Sequence, residues 1–211
     1  MTHTLHRMGD IESLREDYVM LIMPAKGVNF DGSEEKMRQI WDIISHYQSD
    51  LINFGNLTDG NSQRTTMEVF KRINSRAIHA VFMDREALKA CLKELKDHNF
   101  GISVVISGLY EDVKTICSEI GLSPHTVEHS LGIHGKTEKL PDEKILEITT
   151  MCGHGMVSPN LVKEMAKKID NGKMTYEKAS RELSAMCQCG IFNSYRAEKI
   201  LRKMTAASKG A

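Results

Sequence analysis

The chain has 211 residues, of which 41% are hydrophobic and 27% are charged, and its 28 basic side chains equal its 28 acidic ones. This length fits one large domain, or one domain with a helical extension. The balanced charge gives no field that would attract nucleic acid or an anionic membrane. There is no apolar run long enough for a spanning helix and no signal-peptide pattern at the start. We therefore expect a cytoplasmic protein with reduced thiols that binds neither nucleic acid nor membrane.

The first two thirds of the sequence alternate between short apolar runs and amphipathic stretches. The run DYVMLIMP is too short for a core helix and predicts a buried strand. On the same reasoning, strands are predicted at 17–24, 50–55, 76–83, 101–108 and 125–133, and helices at 34–49, 84–98 and 110–121. This order predicts an α+β fold, a ferredoxin-like α/β sandwich with an added α-β unit, over residues 1–138.

Residues 139–211 show no strand pattern and predict a helical subdomain with helices near 141–150, 159–169, 175–186 and 194–204. Two of these helices have clear start signals, and Thr175 is the predicted cap of the second. Ser158 before Pro159 is a start signal, and Asn171-Gly172 is a stop signal. Because the next helix has nearly the same length, the pair should form an antiparallel hairpin.

That hairpin would bring two cysteine loops together although they are far apart in sequence. Cys152 precedes the first helix, and Cys187 and Cys189 follow the second. Returning by an equal length should place the three sulfurs within about 7 Å of one another. Helix N-termini at Ser158 and Asn193 should then lie nearby and favour thiolates.

Glycines accompany all three cysteines, and they carry cofactor-binding predictions of their own. Gly153, Gly155 and Gly190 permit left-handed turns and close backbone approach. Such turns let backbone amides point at inorganic sulfide or at a bound anion. The glycines are therefore candidates for lining a bound cofactor.

Several centres fit the donor set of Cys152, Cys187, Cys189 and His154. A four-iron, four-sulfur cluster held by three cysteines is favoured, because glycines and helix starts surround the thiols. Zinc held by three cysteines and His154 is the alternative. A metal-free thiol redox group, or simple burial of the thiols, also fits the pattern. Cys91 and Cys117 are expected to be core residues, because they lie on apolar helix stripes.

Three further side chains are candidates for substrate binding or acid–base chemistry. Lys26 follows a buried strand, Arg64 lies in a polar loop, and His134 lies in a glycine-containing loop. No nucleotide-binding motif is present in the sequence. The leading hypothesis is an iron–sulfur enzyme acting on a small anionic substrate, with a redox partner protein or a homo-oligomer as its partner. The rival hypothesis is a non-catalytic binding or assembly protein with a zinc site.

Overall fold

A five-stranded antiparallel sheet lies at the centre of the part of the chain that the computed structural model describes, residues 3–72 and 76–208. Every pair of neighbouring strands is antiparallel, and the spatial order is β3-β2-β4-β1-β5. The strands are β1 (Tyr18–Ile22), β2 (Leu51–Asn56), β3 (Gly60–Asn61), β4 (Ile78–Phe82) and β5 (Val104–Ser107).

The helices fall into a group within the sheet-forming part and a group after it. In the first group are α1 (Ile11–Leu14), α2 (Glu34–His46), α3 (Met67–Arg72), α4 (Arg85–His98) and α5 (Tyr110–Glu119). In the second group are α6 (Glu143–Thr149), α7 (Pro159–Asp170), α8 (Tyr176–Met186) and α9 (Ser194–Ser208). In the described ranges, none of these helices has the length and apolar content needed to cross a membrane.

The sheet is covered on both faces, which explains why β1 is apolar throughout. Tyr18, Met20 and Ile22 belong to the core formed with α2 and α4. Val19 and Leu21 belong to the other core, which contains residues of α6 to α9. Because successive side chains of a strand point to opposite faces, a strand with helices on both faces must be apolar at every position.

The α+β class predicted from the sequence is confirmed. If the two-residue β3 and the short α3 are set aside, the helices and strands from β1 to β5 follow one another as β-α-β-β-α-β. That is the succession which the ferredoxin-like prediction assumed, and the ferredoxin-like assignment itself stays a prediction. The two-residue β3 lies just before Arg64, in a segment that was predicted to be a polar loop.

The added strand predicted at 125–133 is wrong, because that segment has no regular secondary structure. Its alternating apolar side chains are exposed instead of buried, and Leu131 is 85% exposed. The segment borders a cavity of about 650 Å³ that β5 also lines. An alternating sequence forms a strand only when a neighbouring strand shares backbone hydrogen bonds with it, and residues 125–133 have no such neighbour.

The helical tail packs directly on the sheet. Ile191 and Phe192 of the tail share one core with Val19, Leu21 and Val81 of the strands. The division into residues 1–138 and 139–211 stays a prediction, but the two parts bury apolar surface against each other.

A buried ionic network also joins the two parts. The guanidinium of Arg196 in α9 lies 3.0 Å from a carboxylate oxygen of Asp17 and 3.8 Å from Glu147. Arg7 pairs with the other oxygen of Asp17. Arg196, Asp17 and Glu147 are each 1% exposed. Charges this deeply buried are tolerated only when they are paired, so the network fixes how α9 meets the start of β1.

Candidate metal centre

The helical hairpin forms with the capping that the sequence predicted. The Ser158 hydroxyl accepts a hydrogen bond from the Leu161 amide at 3.2 Å, and Thr175 caps α8 through the Lys178 amide in the same way. Gly172, between the helices, has φ +66°, a left-handed conformation that ends α7. The open end of the hairpin therefore carries both cysteine loops.

The two loops meet, and their sulfur and nitrogen atoms are close enough to be donors to one metal centre. The sulfurs of Cys187 and Cys189 are 4.0 Å apart. The Cys189 sulfur lies 3.7 Å from Nδ1 of His154. Cys152 is near enough to Cys187 for the two thiols to perturb each other's pKa. All three cysteines are buried free thiols, whereas His154 is exposed, so the group has one side towards solvent.

Two of the three predicted glycines are required where the loops touch other backbone. Gly190 has φ +79°, and a Cβ there would lie 2.5 Å from the carbonyl group of Phe54 in β2. At Gly153, a Cβ would lie 1.7 Å from the carbonyl oxygen of His3. Gly155 has φ +69° and open space around it, so it serves the turn alone.

Side chains from the sheet hold the second cysteine loop by its carbonyl groups. The side-chain amide nitrogen of Asn61 donates to the carbonyl of Cys187 at 2.7 Å. Nδ1 of His79 lies 2.8 Å from the carbonyl of Cys189, and because a carbonyl only accepts, this ring nitrogen carries the proton. Asn61 and His79 are both buried polar residues in strands, and these bonds satisfy them.

Hydrogen bonds among the thiols separate their pKa values. The bond with Cys187 and burial raise the pKa of Cys152. For Cys187, the bond with Cys152 lowers the pKa, but the bond with Cys189 and burial outweigh it and raise the value to about 12. The bond with Cys187 lowers the pKa of Cys189, despite burial. Cys189 is thus the thiol most ready to ionise, and it is the one beside His154.

Backbone amides also favour the thiolates through their effect on pKa, as the glycine turns led us to expect. The amide of Ile191 acts in this way on Cys187 and Cys189, and the amides of Met156 and His154 act on Cys152. Amide donors stabilise thiolate over thiol, and they are common around metal-bound cysteine sulfur.

His3 belongs to this group and was missed as a ligand by the sequence analysis. Its ring lies 4.5 Å from the His154 ring, centroid to centroid, and 5.8 Å from the His79 ring. The donor atoms of His3, His154 and Cys189 all lie within 4.8 Å of one another. Burial, followed by the charges of His154 and His79, lowers the pKa of His3 to about 4. The only sequence signal was the presence of histidines in the first residues.

The three candidate substrate residues are not joined to this centre. Lys26, Arg64 and His134 are all exposed. His134 bonds the carbonyl of Leu131 through Nε2 at 2.9 Å. In the described part of the chain, no hydrogen bond or ion pair links these side chains to the cysteine loops. Their catalytic role stays a prediction.

The two remaining cysteines lie away from the loops, as expected. Cys91 is fully buried in α4, and burial raises its pKa to about 12. Cys117 in α5 is partly exposed, and burial raises its pKa as well. Neither thiol has the amide donors that surround the other three cysteines.

Comparison with known proteins gives no match for this chain. No protein-family model matches it, and neither a curated protein nor a solved structure is similar to it. What the chain does must therefore be inferred from the chemistry of the donor set.

Proposed function

We propose that this protein binds a transition-metal centre at the junction of the two cysteine loops. The observation that carries the proposal is the spacing of three donors: 4.0 Å from Cys187 to Cys189, and 3.7 Å from Cys189 to His154. In a tetrahedral zinc site with bonds of about 2.3 Å to sulfur and about 2.0 Å to nitrogen, neighbouring donors are about 3.6 to 3.8 Å apart. Cys187 lies outside the group whose donor atoms are all within 4.8 Å of one another, so it would have to move towards His154 to share a tetrahedral ion with Cys189, and zinc is the first candidate for that ion.

An iron–sulfur cluster is the second candidate. Amide donors reach all three thiols, and hydrogen bonds of that kind tune cluster sulfur. In a four-iron cluster each cysteine binds a different iron, so the sulfurs must be farther apart than two donors on one ion. Cys187 and Cys189 would have to separate, and for that reason the single ion is the better fit.

The surroundings of the centre suit a metal that meets solvent on one side. His154, Gly153 and Gly155 are exposed, and Met156 is 56% exposed. A small anionic substrate would approach from this side, where a bound ion could polarise it as a Lewis acid. The five free thiols fit a reducing compartment such as the cytoplasm. Metal binding is what the geometry supports best, and catalysis, a redox partner and self-association are further predictions.

The test is metal analysis and visible spectroscopy on protein purified without oxygen or chelator. We expect about one zinc per chain and a colourless protein. A brown protein containing iron and sulfide would establish the cluster instead. The Cys187→Ser and Cys189→Ser variants should lose the metal, whereas Cys91→Ser should retain it. A chain that contains no metal and takes up neither zinc nor iron would overturn the proposal.

A further inference from the structure

We propose that His3 is the fourth ligand of this centre and that Cys152 is not a ligand. This inference rests on the proposed metal binding and names the donors that perform it. Cys187, Cys189 and His154 are ligands whether Cys152 or His3 completes the set. They leave one position of a tetrahedral ion to be filled.

The geometry favours His3 for that position. Among the described residues, the group of three whose donor atoms all lie within 4.8 Å of one another consists of His3, His154 and Cys189. Cys187 adjoins that group through Cys189. An ion held by Cys189 and His154 would also lie close to His3, and Cys187 would complete the set by moving towards that ion.

The polar atoms of His3 are consistent with a missing partner. Its Nε2 is buried and has no hydrogen-bond partner. Buried polar atoms in folded proteins are nearly always paired, so an orphaned imidazole nitrogen beside a thiol and a second imidazole indicates a ligand.

Cys152 lies outside that group, and the contact that joins the group to a second thiol is the one between Cys189 and Cys187 at 4.0 Å. Two thiolates and two imidazoles complete a tetrahedral zinc site, so Cys152 is left out of the ligand set.

The segment that carries His3 is held in place by contacts on its carboxyl side. We call residues 3–7 the amino-terminal arm. The guanidinium of Arg7 donates to the carbonyl of Met151 at 3.1 Å and to the carbonyl of Ile191, and Thr4 and Ser107 share a hydroxyl–hydroxyl bond of 2.6 Å. Met151 and Ile191 are in or beside the two cysteine loops, so the arm is tied to both.

The shape of the first cysteine loop leaves room for the arm. The carbonyl of His3 lies where a Cβ on residue 153 would be, and Gly153 does not have the positive φ that would require glycine for conformational reasons. The lack of a side chain at residue 153 is therefore explained by the passage of His3.

Cobalt(II) substitution tests this assignment, because each thiolate adds sulfur-to-metal charge transfer and the visible bands report the whole ligand set. Four proteins are compared by cobalt titration and zinc competition: the wild type, His3→Gln, Cys152→Ser and His6→Gln. His6 is the matched control, since it lies on the same arm, is exposed, and bonds Ser130 at 2.9 Å.

The expected results differ for each variant. His3→Gln should weaken zinc binding by at least about 100-fold, beyond the range typical of losing a supporting hydrogen bond, with the charge-transfer intensity per bound cobalt unchanged. Cys152→Ser should keep that intensity, and its zinc affinity should fall by no more than about 10-fold to 100-fold. His6→Gln should match the wild type in both measurements.

Two other outcomes separate failure of the inference from failure of the proposed function. If Cys152→Ser loses a third of the charge-transfer intensity while His3→Gln binds like the wild type, Cys152 is the ligand and the inference fails, but metal binding stands. If the wild-type protein shows no charge-transfer band with cobalt, the proposed function fails, and His3 has no metal to bind.

Discussion

Replacing Gly190 by alanine should damage both the stability of the protein and its metal centre. Gly190 has φ +79°, and the added Cβ would lie 2.5 Å from the carbonyl carbon and oxygen of Phe54 and 2.8 Å from the nitrogen of Gly55. Both neighbours are backbone of β2, which pairs with β4 on one side and β3 on the other. Because β2 is paired on both sides, the loop that carries Gly190 has to move instead of the strand.

The size of the effect follows from two separate costs. Holding alanine in the left-handed region costs about 1–2 kcal/mol. Forcing a methyl group into occupied space costs about another 1–3 kcal/mol. Gly190→Ala should therefore destabilise the protein by about 2–5 kcal/mol.

Gly172→Ala is the matched control, because Gly172 has φ +66° and no heavy atom within 4 Å of the added Cβ. It carries the conformational cost alone, about 1–2 kcal/mol. Urea unfolding in the presence of chelator measures both variants without a contribution from metal. Zinc titration of the folded proteins should then show weaker binding in Gly190→Ala only, because that loop carries Cys187 and Cys189. Equal destabilisation of the two variants would refute the close approach between the loop and β2.

Three further predictions concern stability, measured by urea unfolding of chelated protein. Ser158→Ala should cost about 1 kcal/mol, because the cap on α7 is lost; no change would contradict the cap. Arg196→Met should cost about 3 kcal/mol, near the low end for breaking a buried pair, since Arg7 still neutralises Asp17. Lowering the pH from 6.5 to about 4 should reduce stability, because the unfolded chain takes up a proton at His3 in that range whereas the folded protein, with a pKa of about 4, resists it. His3→Gln should flatten this pH dependence, and an unchanged slope would argue against a half-buried, neutral His3.

The tail was predictable because its signals are local. A hydroxyl cap, a proline in the first turn and a glycine at the end each act within a few residues, and α7 has all three. The meeting of the cysteine loops then followed from helix lengths alone. Such reasoning needs no knowledge of the rest of the fold.

Local signals failed where a distant partner decides the structure. Residues 125–133 alternate like a strand, but β5 does not pair with them, and no ladder forms. Ser33 directly precedes α2, where a serine often caps a helix, yet its hydroxyl donates to the carbonyl of Phe30 at 2.7 Å instead of capping the helix. In both cases the tertiary contacts, and not the local sequence preference, determine the structure.

His3 is the strongest example, because no spacing rule links the first residues of a chain to loops near its end. Its position depends on Arg7, which donates to the carbonyls of Met151 and Ile191. These two carbonyls lie next to each other only when the tail is packed on the sheet. A histidine in a polar N-terminal segment has no distinguishing local pattern. The contact could be found only from the folded arrangement.

The same dependence decides where the centre is located. In β4, His79 stands two residues before Val81, so both side chains point to the face that the tail covers, and Val81 packs in the core while His79 binds the carbonyl of Cys189. Asn61 of β3 holds the carbonyl of Cys187 in the same way. Three strands thus contact the second cysteine loop: β4 and β3 each supply a hydrogen-bond donor, and the backbone of β2 at Phe54 packs against Gly190. The cysteines belong to the tail, but the sheet fixes their loop, and the donor geometry is a property of the two parts together.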